Sequence, residues 1–321
     1  MDNVPIAYSA AGSGPPLVFV SSPPYSLILD QERKASWWDA LMKQRQVIRY
    51  DVRGTGASQG AGATLTVDSA VRDLAAVADA LSLETFSLMT INDGAAIGLA
   101  YAAECPQRVD SLMVFNGWSH GADCVDDASG PMERAMRGND HRLYTELLAQ
   151  VSMNFQGGQR GRTLAELMRA SSTPETLRSV LAAMDGWDVR PLLASVRCPV
   201  LVIQNEQGFP ARGAGERLAS LLPAGRFTHL AGTERPPVEE VVSFFDEFRT
   251  IAPAEPQTTL SRREVEVLRL LAEGYANKQI AFQLGISLNT VLRHVSNVFD
   301  KTGAHNRVEA ASAARRLGLV L

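Results

Sequence analysis

The stretch "FSLMTINDGAAIGLAYAAECPQRV" (residues 86–109) decides the fold of the larger part of the chain. It predicts a buried strand, a sharp turn and then an amphipathic helix. A turn of this build presents a catalytic nucleophile at its tip, with small residues two positions before and after it. Asn92 stands at the tip, and a carboxamide cannot act as a nucleophile. The sequence therefore combines a catalytic turn with a non-catalytic residue.

Composition places the chain among globular proteins with one large and one small domain. It has 321 residues, of which 45% are apolar and 21% are charged. It contains no run of about 18 apolar residues that could span a membrane. The N-terminal stretch "MDNVPIAYSAAGSGPP" lacks the basic and apolar pattern of a signal peptide, so we expect a cytoplasmic location.

Cysteine and histidine give no sign of a metal centre. Cys105, Cys124 and Cys198 cannot all pair with one another, and their spacing is not that of metal ligands. The five histidines are scattered along the chain. We therefore expect reduced structural thiols, and neither a metal nor a cofactor.

Charge is distributed unevenly along the chain. From Thr258 onward there are nine Lys and Arg against five Asp and Glu, a net charge of +4. The preceding residues carry 22 basic against 30 acidic side chains, a net charge of −8. Between these parts, the prolines and small residues of "TIAPAEPQTT" (residues 250–259) predict a linker. The sequence thus predicts domains at residues 1–249 and 260–321, the second of which meets an anionic partner.

The larger domain alternates short apolar strands with amphipathic helices, which indicates a mostly parallel sheet with helices on both faces. Between residues 118 and 187 the pattern becomes helical, so we expect a lid inserted above the sheet. The stretch "YDVRGTGASQG" (residues 50–60) resembles the Y-D-x-R-G-x-G-x-S loop of α/β hydrolases. "DVRPLLASVRCPVLVIQNE" (residues 188–206) resembles their return from lid to core. The resemblance covers the whole first domain and implies the α/β hydrolase fold.

The resemblance also locates the residues that a hydrolase would use, and these positions are substituted. Acyl transfer in this family needs a serine, an acid and a histidine within hydrogen-bond reach. The family positions are held by Ser21-Ser22 in the oxyanion loop, Asn92 for the serine, Gln207 or Gly208 for the acid, and Arg235 or Glu234 for the histidine. We therefore expect no hydrolase activity.

Two residues could still supply part of the chemistry. Asp93 could act as the nucleophile, as in dehalogenase-like members, but it would then need small residues at Ile91 and Ala95. The β-branched isoleucine fits that turn badly. His229 could supply a base, but its position predicts a residue within the last strand.

Without the triad, the fold still predicts a pocket above the turn, at the carboxyl edge of the sheet and under the lid. We expect it to bind a small, mostly apolar molecule with one or two polar groups. The predicted polar contacts are Ser21, Ser22, Asn92, Asp93 and Arg235. The predicted walls are Trp118, Met153, Phe155, Trp187 and Phe209, for which ordinary core packing is the alternative.

The second domain contains four helical segments, and the middle pair predicts a helix-turn-helix whose second helix enters the major groove. Gly274 ends the first segment, and Asn277 is a good cap for the second. Ser287 can cap the third segment, and Asn306 opens the last. The whole domain is predicted to be small and all-helical.

The residue pattern of this domain resembles the LuxR-type DNA-binding domain over its entire length. The matching residues are Leu260-Ser261, Arg263-Glu264, Glu266-Val267-Leu268, Gly274, Asn277-Lys278, Ile280-Ala281, Leu284, Ile286-Ser287, Thr290-Val291, His294-Val295-Ser296-Asn297 and Lys301. The resemblance implies a partner, double-stranded DNA, which helix-turn-helix proteins usually bind as dimers on paired half-sites. We therefore expect a homodimer.

Two positions depart from the family, which often has Lys before the T-V pair and a basic residue just after it. Asn289 and Leu292 occupy these positions, and the charge moves to Arg293. We predict that Arg293 and Asn289 contact base edges. We predict that Lys278, Thr290, His294 and Lys301 contact phosphates or fix the register of the protein on the DNA. Ser287 and Asn297 are the remaining predicted DNA contacts.

Together the two domains predict a transcriptional regulator that senses a small molecule in an inactive hydrolase-like pocket. One alternative is a bifunctional regulator that still hydrolyses its signal. Another is a DNA-binding protein whose hydrolase-like domain serves only for dimerisation or partner contact.

Overall fold

The computed structural model describes residues 4–23, 25–26, 35–58, 64–123, 136, 138, 140–152, 158–206, 213–231, 235–248, 260, 262–284, 286–302, 304 and 306–316. The chain divides into two compact units, Met1–Arg249 and Thr250–Leu321, called here the first and the second unit. Among the described residues, no helix is both long and apolar enough to cross a membrane.

A seven-stranded sheet forms the centre of the first unit. Its strands are β1 (Tyr8–Ala11), β2 (Pro16–Val20), β3 (Gln46–Tyr50), β4 (Phe86–Ile91), β5 (Val109–Phe115), β6 (Val200–Asn205) and β7 (Gly225–Leu230). Their order in space is β1-β3-β2-β4-β5-β6-β7, and only the β1–β3 pair is antiparallel. The carboxyl ends of the six parallel strands therefore lie along one edge of the sheet.

Helices cover both faces of this sheet. Those described in the first unit are α1 (Ala35–Met42), α2 (Val67–Ala80), α3 (Gly94–Glu104), α4 (His141–Ser152), α5 (Gly158–Ser171), α6 (Pro174–Asp185), α7 (Ala214–Ser220) and α8 (Val238–Glu247). One core contains α1 and α8 with side chains such as Phe19, Trp38 and Phe245. The other contains α2 and α3. Covering both faces explains why the central strands are almost wholly apolar.

Helix α3 differs from the amphipathic helix expected at this position. Every residue from Gly94 to Ala102 is buried. The helix lies against the sheet on one side, and α2 and the short 3-10 helix Arg190–Ser195 contact it on others. The small residues of "GAAIGLAYAA" permit this close packing, because a larger side chain would push the helix away from its neighbours.

The loop after β3, which carries the hydrolase-like sequence, has a structural role. The Asp51 carboxylate is fully buried and accepts hydrogen bonds from the Ser26 hydroxyl at 2.9 and 3.0 Å and from the Ala57 amide at 2.9 Å. Arg53 donates two hydrogen bonds, of 2.6 and 2.7 Å, to Asp73 of α2. This charged pair is buried, and it fixes the loop to the helix behind it.

The helical insertion of residues 118–187 is closed at its base and fixed to the sheet. His120 and Asp188 form an isolated antiparallel bridge where the insertion begins and ends. At the carboxyl edge of the sheet, the amide of Ser26 donates a hydrogen bond of 3.0 Å to the hydroxyl of Ser171 at the end of α5. Ser26 therefore joins the insertion to the loop that holds Asp51.

The second unit contains four helices, α9 (Arg262–Ala272), α10 (Asn277–Leu284), α11 (Leu288–Thr302) and α12 (Arg307–Arg316). Gly274 ends α9 with a φ of 92°, and the Gly274 amide donates to the Leu271 carbonyl at 3.1 Å, as the sequence predicts. Asn306 caps α12 by accepting from the Glu309 amide at 2.9 Å.

The expected cap of α10 is wrong. The side-chain oxygen of Asn277 is buried and contacts no hydrogen-bond partner among the residues that the structure describes. Instead, Gln279 reaches back and accepts from the Ala276 amide at 2.8 Å. The helix therefore begins at Asn277 but is capped by a residue inside its first turn.

Candidate functional site

The turn after β4 has the backbone of a nucleophile elbow. Asn92 adopts a φ of 50°, in the left-handed region that asparagine enters more easily than most residues. Its amide donates a 3.0 Å hydrogen bond to the Phe115 carbonyl, and its carbonyl accepts one of 3.0 Å from the Ala95 amide. The carboxamide thus occupies the position of a catalytic side chain on a turn fixed from both sides.

Close packing joins this turn to the end of β2. A Cβ atom on Gly94 would lie 2.6 Å from the carbonyl oxygen of Ser21 and 2.7 Å from that of Val20. No other residue fits there without moving the backbone, so the first turn of α3 lies directly against the predicted oxyanion loop. The elbow and the loop of Ser21 and Ser22 therefore form one site.

Ser22 and Asp93 are hydrogen-bonded within this site. The hydroxyl of Ser22 donates to a carboxylate oxygen of Asp93 at 2.6 Å, and both side chains are buried. Asp93 precedes the first residue of α3, where the helix dipole stabilises a negative charge. The Asp93 carboxylate, considered above as a nucleophile, is therefore engaged by a neighbouring hydroxyl.

Arg235, at the expected position of the histidine, packs against three aromatic rings. Its guanidinium carbon lies 4.7 Å from the ring centroid of Trp38 and 4.9 Å from that of Trp37. The ring of Phe19, on β2, is 5.7 Å away. The Trp37 indole also donates a 3.0 Å hydrogen bond to the Pro236 carbonyl, which fixes the segment that carries Arg235. A guanidinium cannot give up its proton in a protein, so Arg235 cannot act as the general base of a triad.

Three neighbouring strands carry asparagines at the carboxyl edge of the sheet. Asn92 follows β4, Asn116 follows β5 with a φ of 50°, and Asn205 is the last residue of β6. The side-chain oxygen of Asn116 accepts a 2.8 Å hydrogen bond from the Asn205 amide. Neither Asn116 nor Asn205 was predicted as a site residue, although the sequence shows an asparagine at the end of each of the apolar runs "LMVFN" (residues 112–116) and "LVIQN" (residues 201–205). The edge thus offers amide groups in place of acids and bases.

The remaining residues considered for the site have three different outcomes. Trp118 and Trp187 are buried, and Trp187 packs within the core that includes α2 and α3, so ordinary packing accounts for its burial. Met153, Phe155, Gln207, Gly208, Phe209 and Glu234 lie outside the described residues. His229 lies within β7 and is exposed, as its sequence position predicts.

The cysteines whose surroundings are described do not provide a nucleophile. Burial raises the pKa of the Cys198 thiol to about 12 and also raises the pKa of Cys105. Both thiols are free and stay protonated at neutral pH, which fits the expected structural role. Cys124 lies outside the described residues.

In the second unit, α10 and α11 form the helix-turn-helix. Ser287 caps α11 by accepting a 3.1 Å hydrogen bond from the Thr290 amide. Val291 and Val298 are fully buried on the inner face of α11, whereas Arg293 is exposed on its outer face. The side chain of Asn289 lies outside the described residues.

The other predicted DNA contacts differ in their exposure and in their contacts within the second unit. Lys278 is exposed on α10, and Asn297 is half-buried on α11. One ring nitrogen of His294, Nδ1, is buried and has no hydrogen-bond partner in the described part of the chain. The ammonium of Lys301 donates to the buried carboxylate of Glu264 at 2.7 Å. Lys301 therefore has a partner within its own unit, which favours a structural role over a contact to phosphate.

Comparisons with known proteins agree with both halves of the architecture. Residues 28–240 match the family described as the alpha/beta hydrolase fold, and residues 258–314 match the bacterial regulatory proteins of the luxR family. The enol-lactonase from Burkholderia xenovorans LB400 has a similar structure, with a TM-score of 0.61 and 18% identity. That match covers 77% of this chain and 95% of the enol-lactonase.

Two relatives each match a different part of the chain. RutD of Caulobacter sp. (strain K31), named as a presumed carbamate hydrolase, is 30% identical over 196 residues, which are 57% of this chain and 71% of RutD. The HTH-type transcriptional activator RamA of Corynebacterium glutamicum is 41% identical over 73 residues, which are 23% of this chain and 26% of RamA. This chain thus spans most of the hydrolase relative but only about a quarter of the regulator.

Proposed function

Because the chain belongs to the α/β hydrolase fold family and carries a LuxR-type DNA-binding domain, we propose that it is a one-component transcriptional regulator. Residues 1–249 bind a small-molecule effector, residues 250–259 link the two domains, and residues 260–321 bind double-stranded DNA. The regulator acts in the cytoplasm as a homodimer.

The observation that carries the proposal is Asn92 in the elbow conformation. The turn retains the strained backbone that points a side chain toward a substrate, but the side chain it presents is a carboxamide. A carboxamide both donates and accepts hydrogen bonds, so it can hold a carbonyl or hydroxyl group without attacking it. The neighbouring polar groups Ser22 and Asp93, in a fold that predicts a largely apolar pocket, suit a small, mostly apolar effector with one or two polar groups.

An effector regulates DNA binding only if it binds the DNA-competent state with a different affinity from the other state. A coupling of about 1–3 kcal/mol is ordinary for such regulators. The helical insertion of residues 118–187 is the natural moving part, because the fold predicts that it covers the pocket. The hydrogen bond between Ser26 and Ser171 would connect its movement to the carboxyl edge of the sheet.

We expect Asn92→Gly to weaken effector binding by about 10- to 100-fold, because a polar group of the effector would lose its partner. Glycine accepts a positive φ, so this variant keeps the turn. The measurement is calorimetry or intrinsic fluorescence against a metabolite library, followed by DNA-binding assays with each ligand found. All four tryptophans, at positions 37, 38, 118 and 187, precede the linker and report on the first unit. Ligands that bind the variant equally well, or that leave DNA affinity unchanged, would argue against this sensor.

A bifunctional regulator that hydrolyses its effector is the second candidate. The observation in its favour is the 2.6 Å hydrogen bond from the Ser22 hydroxyl to Asp93, because a carboxylate can polarise a hydroxyl. A carboxylate alone is a weak general base at neutral pH, however, and the histidine position is held by Arg235 or by Glu234. Catalysis is therefore the less favoured function.

We expect no hydrolysis of short acyl esters or carbamates above background. Asn92→Ser should not restore it, because a nucleophile, its base and its acid act as a unit. The measurement is release of a chromogenic leaving group by wild type, Asn92→Ser and Ser22→Ala. Turnover by the wild type that disappears in Ser22→Ala would support the bifunctional alternative instead. If no ligand and no substrate are found, a role in dimerisation alone becomes the better explanation of the first unit.

A further inference from the structure

Two leucines on α11 are exposed where a surface helix usually carries polar side chains. Leu288 is 37% exposed and Leu292 is 47% exposed. On a different face of the same helix, Val291 and Val298 are fully buried in the core of the second unit. Folding of this unit therefore does not account for the outward position of the two leucines.

The two leucines lie one helical turn apart in the first half of α11. Four residues of α-helix correspond to about 6 Å along the axis. Arg293 is exposed next to Leu292, and Ser296 is exposed one turn further along the helix. This is the second helix of the helix-turn-helix, whose N-terminal residues contact base edges in the major groove. The apolar side chains thus lie on the part of the helix that meets DNA.

Only one base offers an apolar group in the major groove. Thymine presents its 5-methyl group there, whereas the other bases present hydrogen-bond donors and acceptors. A leucine cannot satisfy those polar groups, and burying them against it would cost free energy. Leucine against a thymine methyl removes two apolar surfaces from water.

On this basis, and resting on the proposed DNA-binding function, we propose that Leu292, with Leu288 beside it, packs against thymine methyl groups in the major groove. The operator therefore carries A·T pairs where these leucines enter the groove. Arg293, one residue further along, contacts the neighbouring base pair. Sequence preference in this chain is set partly by apolar contact, at a position where related domains often carry a basic residue.

The test removes the methyl group alone. Duplexes that bind the full-length chain are first selected from a randomised pool, and each thymine of the selected site is then replaced by deoxyuridine. At one or two positions in each half-site, this replacement is expected to weaken binding by the wild type about fourfold, the effect of about one buried methyl group. Fluorescence anisotropy at one fixed salt concentration measures each affinity.

Variants identify the side chain responsible. Leu292→Ala is expected to bind the thymine and deoxyuridine duplexes equally well. Phe282→Ala is the matched control, because Phe282 is also an exposed apolar residue, at 87%, but lies on α10. That variant should keep the fourfold preference for thymine. Thermal melting checks that both variants fold, as substitutions at exposed sites should.

The outcomes separate this inference from the function on which it rests. A chain that binds no duplex contradicts both. Binding without any methyl-sensitive position contradicts only the leucine contact, as does a Leu292→Ala variant that keeps the fourfold preference. If Leu292→Ala instead separates two copies in sedimentation while the thymine preference persists, the leucines form a contact between copies and the inference is wrong.

Discussion

Raising the salt concentration from about 50 mM to about 200 mM is expected to weaken DNA binding by the full-length chain about a hundredfold. Each phosphate contact releases a counterion, so the affinity falls with a log–log slope of about −0.9 per contact. Lys278 on α10 and Arg269 on α9 are exposed cations that could supply such contacts. About four contacts in total, two in each copy of a dimer, correspond to this hundredfold loss. Fluorescence anisotropy across a salt series measures it.

Single substitutions should distinguish the residues that recognise the DNA sequence from those that bind any DNA through its phosphates. Arg293→Ala should reduce discrimination between sequences by about 1–3 kcal/mol if the guanidinium contacts a guanine. Lys278→Ala should weaken all sequences equally and reduce the salt slope by about one. Lys301, paired with Glu264, should affect folding of the second unit more than the slope. A salt-independent affinity would contradict the use of α10 and α11 as the DNA-binding surface.

Arg53→Met is expected to lower the free energy of unfolding of the first unit by about 3–5 kcal/mol. The side chains of Arg53 and Asp73 are only 2% and 5% exposed, and the substitution leaves a buried carboxylate without its cation. The double variant Arg53→Met, Asp73→Leu should recover most of the loss, because it also removes the uncompensated charge. Urea unfolding followed by tryptophan fluorescence measures both.

Arg178→Met is the matched control for this experiment. Arg178 pairs with Glu175 across 3.3 Å, but the two side chains are 42% and 76% exposed. Such a pair contributes at most about 1 kcal/mol, so the control should unfold nearly as the wild type does. Equal losses in Arg53→Met and Arg178→Met would show that burial of the Arg53–Asp73 pair does not matter for stability.

Most of the fold could be predicted from the sequence, because it depends on local patterns. The apolar runs of β2 to β7 and the turn after β4 were all visible in the sequence. Strand β1 was missed because "YSAA" contains no run of apolar or β-branched residues. Its pairing with β3 comes from tertiary context. Both family resemblances, to α/β hydrolases and to LuxR-type domains, are confirmed.

Less of the candidate site could be predicted, because its contacts join residues that are distant in the sequence. The position of Asn92 at the tip followed from the turn itself. The hydrogen bond between Ser22 and Asp93 spans 71 positions, and the rings around Arg235 come from β2 and α1. In the second unit, likewise, the motif indicated Lys301 as a DNA contact, and only packing revealed Glu264 beside it.

The elbow at Asn92 has a further consequence for protein engineering. Hydrogen bonds from neighbouring segments fix its backbone independently of what the side chain does chemically. Serine and asparagine codons can differ by a single nucleotide, so a nucleophilic and a non-nucleophilic side chain are one base change apart at this position. Returning the fold to catalysis would require new side chains at several strand ends, but the turn at Asn92 already has the backbone of a catalytic one. With the proposed effector binding, the first unit would be a scaffold for building a biosensor that destroys its own signal.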